Sequence, residues 1–299
     1  MGVICRGEIV SYLKPLEKAI FYIENNLSEN IKVEDVASEA GYSYYHFHRL
    51  FEMFLGETVG NYIRLRRLSN AAKELLYTDR RIIEIAIKYR FESQESFGRA
   101  FKQTYKVTPS IYRKNRIETI VGNKISWSIK QIEHFVEHVN LKPKIVEIES
   151  KTLYGIRYNT SLKDDSLFYS WQNFSKKLDL LDENLLFKPK YGICEVNPDF
   201  ELNKFSKETE TVHFLGMEAE SFMDKFEFET KELMEGKYAV FTHVGCIDTL
   251  KTTYAFISGT WLIKKDVEID KREDFEYYDE RFLGINNQNS EMDIYIPIR

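Results

Sequence analysis

Apolar residues recur at helical spacing in the first third of the chain, in two stretches that are alike. Residues 33–40 and 82–89 each predict a short helix, and a tight break and a serine (Ser43, Ser93) then begin a second helix. A displacement of fifty residues aligns Glu34 with Glu84, Ser43 with Ser93, Phe47 with Phe97, Arg49 with Arg99, Phe51 with Phe101, Thr58 with Thr108, Tyr62 with Tyr112 and Arg66 with Arg116. The repeated helix, turn and helix predict two helix-turn-helix units.

The second helix of each pair has one apolar stripe and one polar face. Phe47, Leu50, Phe51 and Phe54 fall at i, i+3, i+4 and i+7, so we expect them to pack inward. The outward side chains are aromatic, basic or amide-bearing, with one carboxylate at Glu95, and such types contact bases and phosphates in a major groove. The predicted DNA contacts are Tyr44, Tyr45, His48, Arg49, Arg90, Gln94, Glu95, Arg99, Lys102 and Arg113. An alternative is that both helix pairs only pack, with solvated polar faces.

The distribution of charge favours the DNA-binding interpretation. The whole chain is acidic, with 42 Lys and Arg against 47 Asp and Glu. Residues 43–116 nevertheless carry 15 basic and 7 acidic side chains, whereas residues 119–299 carry 23 and 32. Positive charge therefore concentrates where the two outward faces lie, as binding to phosphates requires.

From residue 144 onward the apolar spacing changes to the period of strands. The pattern predicts strands at 145–148 and 153–158, a helix at 167–181, strands at 191–196 and 212–218, then a strand at 237–244, a helix at 249–263 and strands at 275–278 and 293–298. Two strand-helix-strand-strand repeats predict an α+β domain with an antiparallel sheet and helices on one face.

Composition limits the remaining function classes. A chain of 299 residues is expected to form two domains, and no apolar run approaches the roughly 20 residues of a membrane span. No signal peptide is recognised, so a cytoplasmic location is expected. The three cysteines are scattered, and no cofactor or metal is expected. His134 and His138 have the spacing of a metal pair but lack further ligands, so we interpret them as exposed linker residues.

The first third of the chain resembles a known family of DNA-binding domains. The likeness rests on Val36–Ala37, Gly41–Tyr42–Ser43, Arg49–Leu50–Phe51, Arg66–Arg67–Leu68, Arg90–Phe91–Glu92–Ser93–Gln94, Arg99–Ala100–Phe101–Lys102, Thr108–Pro109 and Tyr112–Arg113. Residues 8–116 are similar to the AraC/XylS regulators, particularly their MarA, SoxS and Rob branch. The resemblance implies an all-α domain with two helix-turn-helix units, joined by a long helix near residues 58–77, and double-stranded DNA as partner. RNA polymerase is a further candidate partner.

Two of the departures from the pattern of that family fall at glycine positions. Arg90 and Lys106 stand where many relatives have glycine. Because a side chain disfavours the left-handed backbone that glycine permits, we expect the turns at these positions to be remodelled.

Residues 143–299 resemble a second family, and residues 117–142 are expected to form a linker. The likeness rests on the run 236–245, the run 254–262, Phe275–Glu276–Tyr277–Tyr278–Asp279 and Ile294–Tyr295–Ile296–Pro297–Ile298. These resemble GyrI-like effector-binding domains. That family implies a small-molecule effector and a glutamate in an aromatic pocket, which its motif places at Glu276.

The residues themselves also indicate an effector site. Glu276 and Tyr278 lie two apart on a predicted strand and so share one face. A carboxylate among aromatic rings suits a bulky organic cation, so we predict a site from Trp171, Glu276, Tyr278 and Tyr295.

Three alternatives to this effector site stay open. Glu276 is a solvated strand residue, or it is the general base of a hydrolase, or the acidic half of the chain docks a protein.

Overall fold

The computed structural model describes residues 6–120, 122–138, 142–161, 163, 166–195, 204–218, 228–263 and 268–299. Two compact units are present. The helical unit comprises Met1–Glu137, Glu201–Ser206 and Lys251–Lys264, and the sheet unit comprises His138–Phe200, Lys207–Leu250 and Lys265–Arg299.

Helices make up most of the helical unit. They are α1 (Arg6–Asn25), α2 (Val33–Glu39), α3 (Tyr44–Leu55), α4 (Val59–Tyr77), α5 (Ile82–Lys88), α6 (Gln94–Tyr105), α7 (Pro109–Asn115) and α8 (Ile129–His138). The predicted long linking helix corresponds to α4, whose N-cap Thr58 accepts a hydrogen bond from the backbone N of Asn61 at 3.2 Å. Helices α1 and α7 were not predicted from the apolar spacing.

The apolar stripe of each second helix packs inward, as predicted. Phe47, Leu50, Phe51 and Phe54 of α3 are all buried. The ring of Phe51 meets that of Tyr62 on α4 edge-on, with centroids 5.6 Å apart. In the repeat, Phe101 on α6 meets Tyr112 in the same way at 5.3 Å. Equivalent aromatic contacts therefore hold the second helix of each pair to the helix that follows it.

The turns between the paired helices differ by one residue. The N–H of Tyr42 donates to the carbonyl of Ala37, and in the second pair the N–H of Phe91 donates to Ala86, both at 3.0 Å. The displacement is therefore 49 residues before the turns and 50 after them, with Glu92 as the extra residue. The predicted alignment of Glu34 with Glu84 is wrong by one position for this reason.

The backbone at the two departures from the family pattern keeps the left-handed form. The φ angle is 62° at Arg90 and 63° at Lys106, close to the 76° of Gly41 and the 70° of Gly56 in the first pair. The expected remodelling of the turns is therefore wrong. The fold of the helix pair imposes this geometry even though a Cβ makes it cost about 1–2 kcal/mol per residue.

The described residues of the sheet unit contain an eight-stranded sheet. Its strands are β1 (Lys144–Ile148), β2 (Lys151–Ser161), β3 (Lys190–Glu195), β4 (Glu210–Glu218), β5 (Glu229–Leu233), β6 (Gly236–Val244), β7 (Phe275–Tyr278) and β8 (Glu291–Pro297). Their order is β1-β6-β8-β7-β3-β4-β2-β5, and each neighbouring pair is antiparallel. Strand β5 was not predicted. Helix α9 (Ser166–Leu181) follows β2, and helix α10 (Ile247–Phe256) follows β6 and continues into a π-helical turn, Ile257–Trp261.

The two faces of the sheet have separate apolar clusters. On one face Phe174 and Leu178 of α9 are buried against Leu215 and Met217 of β4. The other face carries an aromatic cluster with Tyr191, Phe214, Tyr238 and Phe275 among its members. Each side chain's face follows from strand alternation together with the register between strands.

His134 and His138 were expected to be exposed linker residues. His134 is buried, at 8% exposure, with its Nε2 3.5 Å from the hydroxyl of Thr253, so the prediction that it is exposed is wrong. The side chain of His138 lies outside the described residues.

Within the described part of the chain, no helix is both long and apolar enough to cross a membrane.

Candidate DNA-reading surface and effector site

Helix α3 presents an aromatic and basic surface to solvent. Tyr45 is 80% exposed and Tyr44 is 39% exposed, with their rings edge-on at 5.4 Å. Arg49 is exposed and His48 is half-buried, with its ring 6.1 Å from that of Tyr44. The N-cap Ser43 makes no side-chain hydrogen bond to the helix, so its hydroxyl is not used in capping.

Helix α6 presents the corresponding surface in the second pair. Gln94, Glu95, Arg99 and Lys102 are all exposed. The hydroxyl of Ser93 accepts a hydrogen bond from the backbone N of Ser96 at 3.1 Å, and the Ser96 hydroxyl accepts one from the backbone N of Ser93 at 3.2 Å. This reciprocal cap fixes the start of the helix and the direction of its first outward side chains.

Glu95 is the acidic member of the α6 surface. Hydrogen bonds from its own backbone N–H and from Ser93 lower the pKa of its carboxyl, so this group is ionised at neutral pH. A carboxylate accepts hydrogen bonds from the amino group of cytosine and repels phosphates.

Two of the arginines predicted to contact DNA, Arg90 and Arg113, also make contacts within the protein. Arg90 donates from Nε to the carbonyl of Ser28 at 2.6 Å and forms an ion pair with Glu29 at 3.0 Å. Arg113 donates to the carbonyl of Leu75 at 3.1 Å and to that of Arg80 at 2.7 Å.

These contacts change what the two arginines do. Arg113 satisfies a carbonyl in the last turn of α4, and Arg90 fastens the segment after α1. The exposed side chains among the predicted DNA contacts therefore lie mainly on α3 and α6.

In the sheet unit, Glu276 and Tyr278 of β7 lie on the same face and are both buried. The hydroxyl of Tyr278 donates to Oε2 of Glu276. Trp171 reaches the pair from α9, with its ring 4.7 Å from that of Tyr278 in an edge-on arrangement. The structure thus brings together three of the four predicted effector residues.

A glycine that the sequence analysis missed makes room for this group. Gly192 of β3 is the register partner of Glu276. A Cβ at position 192 would lie 3.0 Å from Cζ2 of Trp171 and 3.5 Å from Oε2 of Glu276. Glycine within a strand signals a close approach, but the sequence alone does not show what approaches.

The fourth predicted residue, Tyr295, is not part of this group. Its register partner on β7 is Phe275, whose ring it stacks against at 4.3 Å, whereas Glu276 is paired with Ile294. Tyr295 therefore points to the opposite face of the sheet. The prediction that it shares a pocket with Glu276 is wrong because the register of β8 against β7 places the two side chains on different faces.

The surroundings of Glu276 disfavour further negative charge. Burial, with the nearby charges of Glu276 and Glu273, raises the pKa of Asp274 to about 6. Burial and the Glu276 carboxylate raise the pKa of Tyr278 well above its ordinary value, so its hydroxyl remains a donor. Burial also raises the pKa of the Cys194 thiol. A bound cation would relieve the repulsion between these acidic groups.

Among the described residues, no group of three or more His, Cys, Asp and Glu side chains could hold a metal ion.

Together, the exposed basic helices and the carboxylate–aromatic group define a class of protein that combines a DNA-binding region with a small-molecule-binding domain. Residues 36–115 match the family described as helix-turn-helix domain, and residues 141–299 match the GyrI-like small molecule binding domain. The chain therefore belongs to the AraC-type DNA-binding transcription regulators that carry a GyrI-like domain.

Similar proteins support this assignment over different lengths of chain. The uncharacterised HTH-type transcriptional regulator YbfP of Bacillus subtilis is 52% identical over 102 residues, which cover 34% of this chain and 35% of that protein. The transcriptional regulator Rob of Salmonella typhimurium is 28% identical over 94% of this chain and 96% of its own. The right origin-binding protein of Escherichia coli K12 has the same identity and coverage.

Proposed function

We propose that α3 and α6 both read DNA, as the second helices of two helix-turn-helix units on one chain. The observation that carries this proposal is the exposure of Arg49 and Arg99 at equivalent positions on these helices. Two unequal reading helices require no molecular dyad, so the expected target is an asymmetric site with half-elements about 10 base pairs apart. Domain boundaries at 8–116, 117–142 and 143–299 form part of the proposal.

Selection of duplexes from a random library by the full chain would test this proposal. Arg49→Ala or Arg99→Ala should cost about 1–3 kcal/mol of specific binding and relax base preference at one half-element. Lys102→Ala should weaken all sequences alike and reduce the salt dependence, since it holds phosphate. Lys18→Ala, an exposed residue on α1, is the control. Equal loss of specific and non-specific binding in Arg49→Ala would contradict base reading.

We further propose that the GyrI-like region binds a bulky lipophilic cation against Glu276. The support is the buried carboxylate of Glu276 beside the rings of Tyr278 and Trp171, which combines a negative charge with aromatic side chains. Any bulky apolar ligand displaces water from the aromatic surface, but only a cation also pairs with the carboxylate. A cationic ligand is therefore favoured over a neutral one. Tyr295 is left out of this site.

Calorimetric titration of the full chain with tetraphenylphosphonium and with neutral triphenylphosphine oxide would test the cation site. Glu276→Gln keeps the shape of the side chain and removes its charge, so phosphonium affinity should fall while the affinity for the neutral compound changes little. Glu280→Gln removes the same charge from an exposed position and should have no effect. Phosphonium affinity that survives Glu276→Gln, or no binding at all by wild type, would refute the proposal.

A further inference from the structure

A lysine lies fully buried in the helical unit. The side chain of Lys124 has no exposed surface, and its Nζ pairs with Oε1 of Glu57 at 2.5 Å. Nζ also donates to the hydroxyl of Thr260 and lies 4.5 Å from the ring of Trp127. Because a buried ammonium is costly without partners, this position depends on its contacts.

The backbone of Lys124 is fixed as firmly as its side chain. Its N–H donates to the hydroxyl of Ser69 at 2.8 Å, and its carbonyl accepts from Nη1 of Arg66 at 2.5 Å. Arg66 in turn forms an ion pair with Glu24 at 2.7 Å. Lys124 is therefore held against α4 at two points and cannot follow a moving partner without breaking these bonds.

The carboxylate that Lys124 binds lies at the junction between the first reading helix and α4. Glu57 is two residues beyond Leu55, the last residue of α3, and directly precedes the N-cap Thr58. Its Oε2 accepts a hydrogen bond from Nδ2 of Asn61 at 2.8 Å. A change in the Lys124–Glu57 pair would therefore act on the junction that orients α3.

The hydroxyl that Lys124 binds comes from a distant part of the sequence. Thr260 lies in the π-helical turn Ile257–Trp261, where the N–H of Leu262 donates to the carbonyl of Ile257 at 2.9 Å. π-helical turns are rare and frequent at functional sites. A Cβ at Gly259 would lie 3.1 Å from the carbonyl oxygen of Asn123, so the turn approaches the Lys124 segment closely.

This turn continues a helix that begins in the other unit. Helix α10 starts at Ile247 in the sheet unit, and from Lys251 onward the chain belongs to the helical unit. Ile263, just past the turn, is buried in the apolar core of the helical unit. Residues 257–263 fall within the range 141–299 that matches the small-molecule family.

We propose that the Lys124–Thr260 hydrogen bond couples ligand binding in the GyrI-like region to the first reading helix. The inference rests on the proposed function. A ligand that displaces α10 would also displace the turn that follows it, and would draw the Thr260 hydroxyl away from Lys124. The buried ammonium would then keep Glu57 and the ring of Trp127 but lose its hydroxyl acceptor, so the junction before α4 would shift and α3 with it. Loss of this hydrogen bond by itself should affect the half-element read by α3 rather than the half-element read by α6.

Thr260→Val removes the acceptor at nearly constant volume, and Thr260→Ser keeps it as the matched control. Circular dichroism and thermal unfolding establish that each variant is folded. The double variant Lys124→Met/Glu57→Gln serves if Thr260→Val does not fold, because replacing a buried ion pair with uncharged groups of similar volume is often tolerated.

Hydrogen exchange of the full chain tests the coupling without any effector, because coupling is reciprocal between sites. Saturation with the duplex selected by wild type should change the exchange rate of residues 257–263 about 5-fold or more in wild type and Thr260→Ser, and less than about 2-fold in Thr260→Val. Duplexes selected by Thr260→Val should keep the α6 half-element and lose base preference in the α3 half-element. An unchanged exchange rate in wild type, or equal relaxation of both half-elements, would overturn the proposal.

Tetraphenylphosphonium separates this proposal from the effector proposal. If the cation binds, saturation should change the DNA affinity of wild type and Thr260→Ser about 5- to 150-fold and that of Thr260→Val less than about 2-fold. A full response in Thr260→Val would overturn the coupling. If calorimetry shows no cation binding, the effector proposal fails, and the exchange experiment with DNA decides the coupling by itself.

Discussion

Lys106 and Arg90, two left-handed residues of the helical unit, allow the cost of this backbone geometry to be measured. Lys106 has φ 63° and ψ 0°, close to the φ 70° and ψ 11° of its repeat partner Gly56. Arg90 has nearly the same φ as Lys106 but makes side-chain contacts with Ser28 and Glu29. Glycine at each position therefore relieves the same strain and removes different contacts.

The expected magnitudes follow from these surroundings. Relief of the left-handed strain stabilises the folded state by about 1–2 kcal/mol, and the added freedom of glycine in the unfolded chain costs about 0.4–1 kcal/mol. The side chain of Lys106 is exposed, so Lys106→Gly should stabilise the helical unit by about 0.5–1 kcal/mol. Arg90→Gly also loses a hydrogen bond and a half-exposed ion pair, together worth about 1–2 kcal/mol, and should be neutral or destabilising.

Urea unfolding followed by tryptophan fluorescence would measure the difference. In a Trp171→Phe background, Trp127 and Trp261 remain, and both are buried in the helical unit. Gly56→Ala is the converse control and should destabilise by about 1 kcal/mol. A lower unfolding midpoint for Lys106→Gly, or equal shifts for Lys106→Gly and Arg90→Gly, would refute this reasoning.

Three other predictions concern the sheet unit. Gly192→Ala should crowd Trp171, at an overpacking cost of about 1–3 kcal/mol, and should weaken phosphonium binding about 10-fold. Gly60→Ala adds the same methyl group where there is open space and should leave the affinity unchanged. Unchanged affinity in Gly192→Ala would show that the ring of Trp171 can move aside. Burial lowers the pKa of His213 from 6.5 to about 4, so protonation favours unfolding in this range. The free energy of unfolding should fall by up to about 3 kcal/mol as pH drops from 6.5 towards 4, more steeply in wild type than in His213→Phe. Equal pH dependence in the two proteins would contradict a lowered pKa for His213. Because burial raises the pKa of Cys194, iodoacetamide at pH 8 should alkylate it at least about 10-fold more slowly in the native chain than in urea, and rapid native alkylation would contradict that burial.

Local spacing determined much of the secondary structure and which sides of α3 and α6 face solvent. The inward stripe of α3 and the exposure of Arg49 and Arg99 follow from a 3.6-residue period, which needs no knowledge of distant residues. The alternation along β7 likewise placed Glu276 and Tyr278 together. These predictions succeeded because residues close in sequence set the geometry.

Contacts between distant segments decided the rest. The register of β8 against β7 turned Tyr295 away from Glu276, and a one-residue register change would have reversed this outcome. The sequence pattern shows no partner for the guanidinium of Arg113. In the folded chain it donates to the carbonyl of Leu75, 38 residues away. A basic residue on a helix can bind DNA or cap a neighbouring helix, and only its three-dimensional surroundings distinguish the two.

The contact between Lys124 and Thr260 could not be predicted from the sequence. The two residues lie 136 positions apart, and neither spacing nor composition indicates that they meet. A lysine in a polar stretch is expected at the surface, because burying an ammonium costs free energy that the local sequence cannot recover. Glu57 and Thr260 partly offset that cost in the folded chain, so tertiary structure alone made a buried ion pair from a residue that the sequence would leave in solvent.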